Sequence, residues 1–127
     1  MNSELKELLE KAREAAKTAY APYSGYKVGS AVKCADGSIF CGCNVENASF
    51  SLTICAERTA IFKAISEGHR DFKAIAIYVD SDKTFPPCGA CRQVISEFAP
   101  DIPILYANWN ETIESTMDKL LPGAFRL

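Results

Sequence analysis

The chain has 127 residues, of which 48% are hydrophobic and 24% are charged, and its formal net charge is −2 at pH 7. This size and balance predict one soluble globular domain over residues 1–127, with a core large enough to need no disulfide staples. The acidic balance argues against a surface built to grip nucleic acid, and no apolar run approaches the roughly 20 residues of a membrane-spanning helix. No signal-peptide pattern opens the chain, so we expect a cytoplasmic protein whose six cysteines stay reduced.

Hydrophobic periodicity and turn signals divide the chain into helices and strands. Residues 3–20 carry leucines and alanines at three- and four-residue steps, which is typical of an amphipathic helix. Asn2 or Ser3 is the expected cap of this helix, and Pro22 its expected end. The dipeptide Asp-Gly at 36–37 is a strong hairpin signal and predicts that the strands on either side pair with each other.

Further along the chain, helical patterns alternate with apolar runs. The continuous apolar run 74–79 is typical of a strand buried on both faces. In chain order, the predicted elements are a helix over 3–20, strands over 28–33 and 39–45, a helix over 56–67, a strand over 74–79, a helix over 89–98, a strand over 102–106 and a helix over 116–121. Helices that alternate with buried strands predict an α/β layered domain around one mixed sheet.

Two predicted helix starts carry a metal-binding pattern. Cys55 precedes one helix, and Cys88 and Cys91 form a Cys-x-x-Cys at the start of the next. That spacing places both sulfurs on one side of the first helical turn, where the helix dipole favours thiolates. Three thiolates leave one position of a tetrahedral zinc ion open for water, as in a catalytic site. Glu57 lies two residues after Cys55, where a carboxylate can take the proton of that water and deliver it elsewhere.

A purely structural zinc is the alternative interpretation, and it requires a fourth ligand. We interpret Cys41 and Cys43 as a small buried pair on one strand, and His69, just after Gly68, as a solvated residue. The residues that could supply the ligand are Cys34, Cys41, Cys43 and His69. Three thiolates give the zinc a net charge of −1, so a nearby cation would restore the acidity of the water; we hypothesise that Arg58 is this cation.

Five segments, spread over nearly the whole chain, form a recognisable series of motifs. They are Tyr-Ala-Pro-Tyr-Ser at 20–24 with Val-Gly at 28–29, Asn-Val-Glu-Asn-Ala-Ser at 44–49, Cys-Ala-Glu-Arg-Thr-Ala at 55–60, Pro-Cys-Gly-Ala-Cys-Arg-Gln at 87–93 and Leu-Leu-Pro-Gly-Ala-Phe at 120–125. In this order the segments resemble the small, homotetrameric, three-cysteine cytidine deaminase family. The zinc motifs also match the signature of zinc nucleobase deaminases, with Cys55 where histidine is common.

The resemblance implies further site residues. Asn44 and Glu46 would bind the ribose, with Glu46 on the 3′-hydroxyl, and Tyr26 would lie against the base in the place of the family's usual Phe. Phe125 would stack on the base from a neighbouring subunit. Phe50 stands where the family often has Tyr, so a ribose contact through that hydroxyl is lost.

The resemblance also implies the fold and the reaction. The fold would be a three-layer α/β/α sandwich around a mixed five-stranded sheet. The reaction would be the hydrolysis of cytidine or deoxycytidine to uridine or deoxyuridine and ammonia, with one Zn²⁺ per chain and Glu57 moving the protons. A homotetramer would complete the sites. The alternatives are a deaminase of a nucleotide, of a base in nucleic acid or of an aminonucleoside antibiotic, and a zinc module without activity.

Overall fold

The computed structural model describes residues 1–127 and confirms the three-layer α/β/α sandwich. Its elements, in chain order, are α1 (Ser3–Ala16), β1 (Val28–Cys34), β2 (Ile39–Cys43), a short 3-10 helix (Phe50–Leu52), α2 (Ala56–Ser66), β3 (Phe72–Val79), α3 (Gly89–Phe98), β4 (Ile104–Ala107), β5 (Thr112–Ser115) and α4 (Met117–Leu120). None of the helices combines the length and the apolar character that crossing a membrane requires.

The five strands form one mixed sheet in the order β2-β1-β3-β4-β5. β3 and β4 are parallel, and every other neighbouring pair is antiparallel. The hairpin between β1 and β2 confirms the turn predicted at residues 36–37, where Gly37 has a φ of +95° that a residue with a Cβ rarely adopts. β3 lies at the centre and is buried over its last six residues, as its continuous apolar run predicts.

The side chains on one face of the central strand are larger than those on the other. Their size determines how closely the helices on each face approach the sheet. Ile75 and Ile77 of β3 pack into the cluster that includes residues of α2 and α3. Ala74 and Ala76, on the opposite face, pack against α1. Gly29 of β1 permits this approach, because a Cβ there would lie 1.9 Å from a backbone oxygen of α1. Alternation along the strands therefore builds two cores, one on each side of the sheet.

Gly42 of β2 fixes the position of α2, the helix that follows Cys55. A Cβ at Gly42 would lie 2.6 Å from the backbone nitrogen of Ala60 and 2.9 Å from the carbonyl oxygen of Ala56. The first turns of α2 therefore rest directly on the backbone of β2. This contact sets where the start of α2 lies relative to the sheet.

The end of α1 and the presence of β5 differ from the sequence prediction, and both differences have tertiary causes. α1 ends at Ala16 rather than near residue 20, because Tyr20 leaves the helix to form a β-bridge with Val45. β5 has no counterpart among the strands predicted from periodicity. It is a four-residue edge strand with a single apolar residue, Ile113, and therefore lacks an apolar alternation. Asn2, one of the two expected caps, accepts the amide hydrogen bond of Leu5 at 2.9 Å.

Candidate active site

Three cysteine sulfurs meet where α2 and α3 begin. Cys55 is the N-cap of α2, Cys88 is the N-cap of α3, and Cys91 lies in the first turn of α3. The Cys55 and Cys88 sulfurs are 3.5 Å apart, and all three sulfurs lie within 4.8 Å of one another. Sulfurs 2.3 Å from a tetrahedral zinc ion lie about 3.8 Å apart, so this spacing fits one zinc ion with a fourth position left over.

The ionisation of these thiols also suits a cation. The pKa of Cys55 is lowered to about 5, chiefly because the Cys91 side chain hydrogen-bonds to its sulfur, with Arg58 and Cys88 adding to the effect. The pKa of Cys91 is raised, because it shares that hydrogen bond and is buried. Cys55 is therefore a thiolate at neutral pH, and its negative charge lies at the N-terminus of α2, where the aligned amide dipoles stabilise it.

Arg58 lies against the sulfur cluster. Its Nη2 donates a hydrogen bond to the Cys55 sulfur at 3.5 Å, and this contact raises the pKa of the guanidinium above its usual value. The Nε of Arg58 is buried without a hydrogen-bond partner. The structure therefore places the cation expected from the sequence in direct contact with one predicted zinc ligand.

Glu57 is a buried carboxylate beside the sulfurs. Its exposed fraction is only 4%, and it lines a cavity of about 220 Å³ together with Cys55 and Cys88. Burial, followed by the negative charge of Cys55, raises the pKa of Glu57 to about 7. A buried carboxyl group that faces a cavity and a sulfur cluster has the placement of a general acid and base.

Asn44 and Glu46 line the same cavity, as the resemblance implies. Asn44 is fixed by the backbone, since its Oδ1 accepts from Val28 N at 2.9 Å and its Nδ2 donates to Tyr26 O at 2.8 Å. Glu46 accepts from the backbone amides of Tyr23 and Ser24 at 2.9 and 3.0 Å and from the Ser24 hydroxyl. The Ser24 hydroxyl, followed by its amide, lowers the pKa of the Glu46 carboxyl.

Tyr26 lies next to a residue that lines the cavity, and its expected contact with the base stays a prediction. The ring of Tyr26 packs edge-on against Phe85, with centroids 5.0 Å apart, and Phe85 rather than Tyr26 lines the cavity. Sequence reasoning missed Phe85, because an aromatic residue in a proline-flanked loop carries no periodic signal. The other lining residues that it missed are Val28, Thr53, Ile54, Ile77, Val79 and Pro86.

Phe125 lies outside the cavity of its own chain and is 68% exposed. The C-terminal segment around it is anchored by Arg126, whose Nη2 donates to the carbonyl oxygen of Ser96 in α3 at 2.6 Å. Arg92, to which the sequence analysis gives no role of its own, connects the residue before Cys88 to the same region by donating to Pro87 O and Leu120 O, both at 2.7 Å. The segment that carries Phe125 is therefore tied to α3.

The alternative fourth ligands lie elsewhere. Cys41 and Cys43 are half-buried in β2 rather than fully buried, and neither joins the sulfur cluster of Cys55. His69 is also half-buried, which contradicts its interpretation as a solvated residue; its ring contacts Phe40, with centroids 5.0 Å apart. Cys34 and His69 belong to a separate cluster. No fourth protein ligand joins the three sulfurs. Three protein ligands form the donor set of a zinc site that keeps one position open.

An open three-thiolate site beside a buried carboxylate, on an α/β/α sandwich, defines a zinc-dependent hydrolase. The family model for the cytidine and deoxycytidylate deaminase zinc-binding region matches residues 2–106. The chain is 52% identical to a cytidine deaminase of Halalkalibacterium halodurans, over 93% of this chain and 91% of that protein. It is 48% identical to a cytidine deaminase of Sporosarcina psychrophila, over 96% of this chain and 91% of that protein.

A solved structure is similar over nearly the same length. The cytidine deaminase from Burkholderia pseudomallei superposes with a TM-score of 0.91 at 44% identity, covering 98% of this chain and all of that one. The chain therefore belongs to the cytidine and deoxycytidylate deaminase family and carries its zinc-binding region.

Proposed function

We propose that this chain hydrolyses free cytidine and deoxycytidine to uridine or deoxyuridine and ammonia, with one zinc ion per chain. The observation that carries the proposal is the shared cavity. Glu57, two cysteines of the sulfur cluster, Asn44 and Glu46 all line one space of about 220 Å³. A nucleoside bound there would have its base beside the catalytic carboxylate and its sugar beside the polar rim. The family membership gives the same reaction.

Glu57 has the role of moving protons. Cys55, Cys88 and Cys91 would hold the zinc ion, which would supply a Lewis acid that lowers the pKa of a water molecule and so makes it a nucleophile. Glu57 accepts the proton of the water that adds to carbon 4 of cytosine and delivers it to the ring nitrogen next to that carbon. It then carries a second proton, taken from the hydroxyl group now on carbon 4, to the amino group, and the bond from carbon 4 to nitrogen breaks to release ammonia. The near-complete burial of Glu57 keeps bulk solvent from competing for these protons.

Asn44 and Glu46 have hydrogen-bonding capacity left for a sugar. An ionised carboxylate offers about four acceptor sites, and the turn at Tyr23 and Ser24 occupies three of those of Glu46. Asn44 uses one donor and one acceptor on the backbone and retains one of each. Both side chains are therefore fixed in place, and each can still bind a ribose hydroxyl.

The base would lie against an apolar wall of the cavity. Phe85 forms part of that wall, and Tyr26 supports Phe85 from behind through their edge-on contact. The proposed contact of Tyr26 with the base would therefore lie beside Phe85. Phe125 of a neighbouring subunit would close the cavity by stacking on the exposed side of the base.

The charge of the cavity favours a free nucleoside over a nucleotide. No lysine or arginine lines the cavity, whereas a phosphate group would require a cation or a set of amide donors. Glu46 at the rim would also repel a phosphate. A base within a nucleic acid is disfavoured for the same reason, because its backbone would bring phosphates to that rim.

The whole chain, residues 1–127, is proposed to act as one catalytic domain in a cytoplasmic homotetramer. Two adjacent exposed aromatic side chains beside the cavity support the assembly, since a contiguous exposed apolar patch often marks a protein–protein interface. They are Tyr23 and Phe50, whose ring centroids lie 6.0 Å apart next to Glu46 and Thr53 of the cavity wall. Light scattering would give the subunit number, and cell fractionation would give the compartment.

One substrate panel tests the function. Ammonia release would be measured with cytidine, deoxycytidine, deoxycytidine monophosphate, a cytosine-containing single-stranded DNA and an aminonucleoside antibiotic. We expect turnover with the first two and at least about a hundredfold lower kcat/KM with the phosphorylated substrates, because an uncompensated phosphate lies beside Glu46. A preference for the nucleotide or the antibiotic would establish one of the alternatives. No turnover of any substrate by zinc-loaded protein would indicate a structural zinc module.

A further inference from the structure

A second cluster of metal-binding side chains lies outside the active site. Cys34, Asp36 and His69 each offer one ligand atom, and these atoms lie within 4.8 Å of one another. They represent the three donor types that zinc accepts in proteins, a thiolate, a carboxylate and an imidazole. His69 is the only histidine of the chain.

The cluster is separate from the active site. Cys34 is the last residue of β1, and Val28 at the other end of the same strand lines the active-site cavity. A seven-residue strand spans about 20 Å at 3.3 Å per residue. No side chain can therefore belong to both sites.

Two loops are held together at the cluster by bonds that need no metal. Ala35 N, in the hairpin turn, donates to Asp71 O in the loop after α2 at 2.8 Å. The carboxylate of Asp36 is oriented by the amide of Ser38, which donates to Oδ1 at 2.9 Å. The ligands on the two loops are therefore brought together by the fold.

The surrounding structure also positions the imidazole of His69 and the thiol of Cys34. His69 N donates to Ala64 O at 3.0 Å as the chain leaves α2, and the ring of Phe40 lies against the imidazole. The Nδ1 of His69 is 3.7 Å from Asp36 Oδ2, and Cys34 is 99% buried, with an exposed fraction of 1%. The fold therefore fixes the backbone of all three ligands, and the exposed carboxylate of Asp36 remains free to move onto a metal ion.

We propose that Cys34, Asp36 and His69 form a second, peripheral site for a divalent transition-metal ion of the zinc type. Binding replaces the thiol proton of Cys34, which is released to solvent. Three protein ligands leave at least one coordination position for water. One thiolate binds zinc less strongly than the three of the active site, so this site fills only after the active site is loaded.

Cobalt(II) added to the zinc-loaded protein tests the site, because a cobalt–thiolate bond gives an intense near-ultraviolet absorption. We expect about one additional metal ion per chain beyond the active-site zinc, together with that absorption. His69→Gln should weaken the uptake about tenfold or more, since even residues that merely support a metal ligand contribute 10–100-fold to affinity. Cys34→Ala should abolish the absorption.

The matched controls are Cys41→Ala and Cys43→Ala, which remove a thiol from the adjacent strand and should leave the cobalt signal unchanged. Zinc content and deaminase activity are measured on the same samples and should stay at the wild-type level in His69→Gln. Absence of the thiolate absorption in the wild-type protein, or the same uptake by wild type and His69→Gln, would overturn the second site. Either result would leave the proposed deaminase function intact, because that function depends on the separate activity measurement.

Discussion

The guanidinium of Arg58 donates a hydrogen bond to the sulfur of Cys55 across 3.5 Å. Three thiolates make a bound zinc ion electron-rich, and this contact withdraws part of that charge. The two residues lie one turn apart, at the N-cap and in the first turn of α2. Helix geometry thus brings a fixed positive charge to a predicted zinc ligand without help from a distant part of the chain.

Arg58→Gln should lower turnover by about one to two orders of magnitude, the usual effect of removing a residue that supports a metal ligand. Zinc should remain bound, because all three sulfurs are still present. Steady-state kinetics and metal analysis of the same preparation test this. Arg58→Lys is the matched control and should recover only part of the loss, because an ammonium cannot present a planar pair of donors. Wild-type turnover in Arg58→Gln would show that the helix dipoles suffice.

Glu57→Gln should greatly reduce turnover while the zinc and the fold persist. The amide has nearly the same size but cannot accept the proton of the attacking water, so kcat should fall by roughly a hundredfold to ten-thousandfold. Ammonia release from cytidine, zinc content and thermal denaturation would be compared with the wild type. Activity within about tenfold of wild type at full zinc occupancy would remove Glu57 from the mechanism.

The cysteines should separate into two groups. Cys88→Ala and Cys91→Ala should lose the active-site zinc and the activity together, because two remaining sulfurs hold the ion poorly. Cys34→Ser, Cys41→Ser and Cys43→Ser should each retain about one tightly bound zinc ion per chain. Metal analysis after dialysis distinguishes the groups, and loss of the zinc in any of the last three would mean that the ligand set is wrong.

Glu46→Gln should reduce kcat/KM for cytidine by roughly tenfold to a hundredfold, which corresponds to losing a hydrogen bond to a charged acceptor. A cytidine analogue without the 3′-hydroxyl separates a sugar contact from a structural role. The wild type should discriminate strongly against this analogue, whereas Glu46→Gln should discriminate much less. Ser24→Ala is the control, since it removes one donor to the carboxylate but keeps the acceptor. Equal discrimination by wild type and Glu46→Gln would rule out the contact.

The role of Phe125 in a neighbouring site can be tested by combining two impaired variants. Phe125→Ala should lower kcat/KM roughly tenfold to a hundredfold, the scale for losing an aromatic side chain stacked on a base. Coexpression with Glu57→Gln should restore activity, because a Glu57→Gln subunit still donates its Phe125 to a neighbour with an intact carboxylate. Activity equal to the sum of the two separate proteins would show that Phe125 does not serve a neighbouring site.

Local sequence patterns predicted most of the fold. They missed the end of α1 and the strand β5, which depend on contacts between distant parts of the chain. The apolar run of β3 and the turn at Gly37 are local signals, and both were confirmed. The predicted end of α1 was wrong, because Tyr20 forms a bridge with Val45 instead of continuing the helix. β5 was not predicted from periodicity because a short edge strand with a single apolar residue has no hydrophobic pattern.

The site residues likewise divide into those with a local sequence signal and those that only the fold brings together. Cys55 and Glu57 were linked by their spacing at one helix start, and Cys88 and Cys91 by theirs at another. Phe85 had no such signal, because only the folded loop turns its ring towards the cavity. The grouping of Cys34 with His69 is likewise invisible along the chain, where 34 residues separate them.

The sequence by itself determined the chemical groups, the two helix starts that carry them and the family, because each depends on residues only a few positions apart. Only the tertiary structure decided that the two starts meet. β1, β2 and β3 pack α2 and α3 on one face of the sheet, and the missing Cβ of Gly42 lets α2 settle directly on β2. Sulfurs 33 residues apart then lie 3.5 Å from each other, because both helices pack side by side against the same face of the sheet.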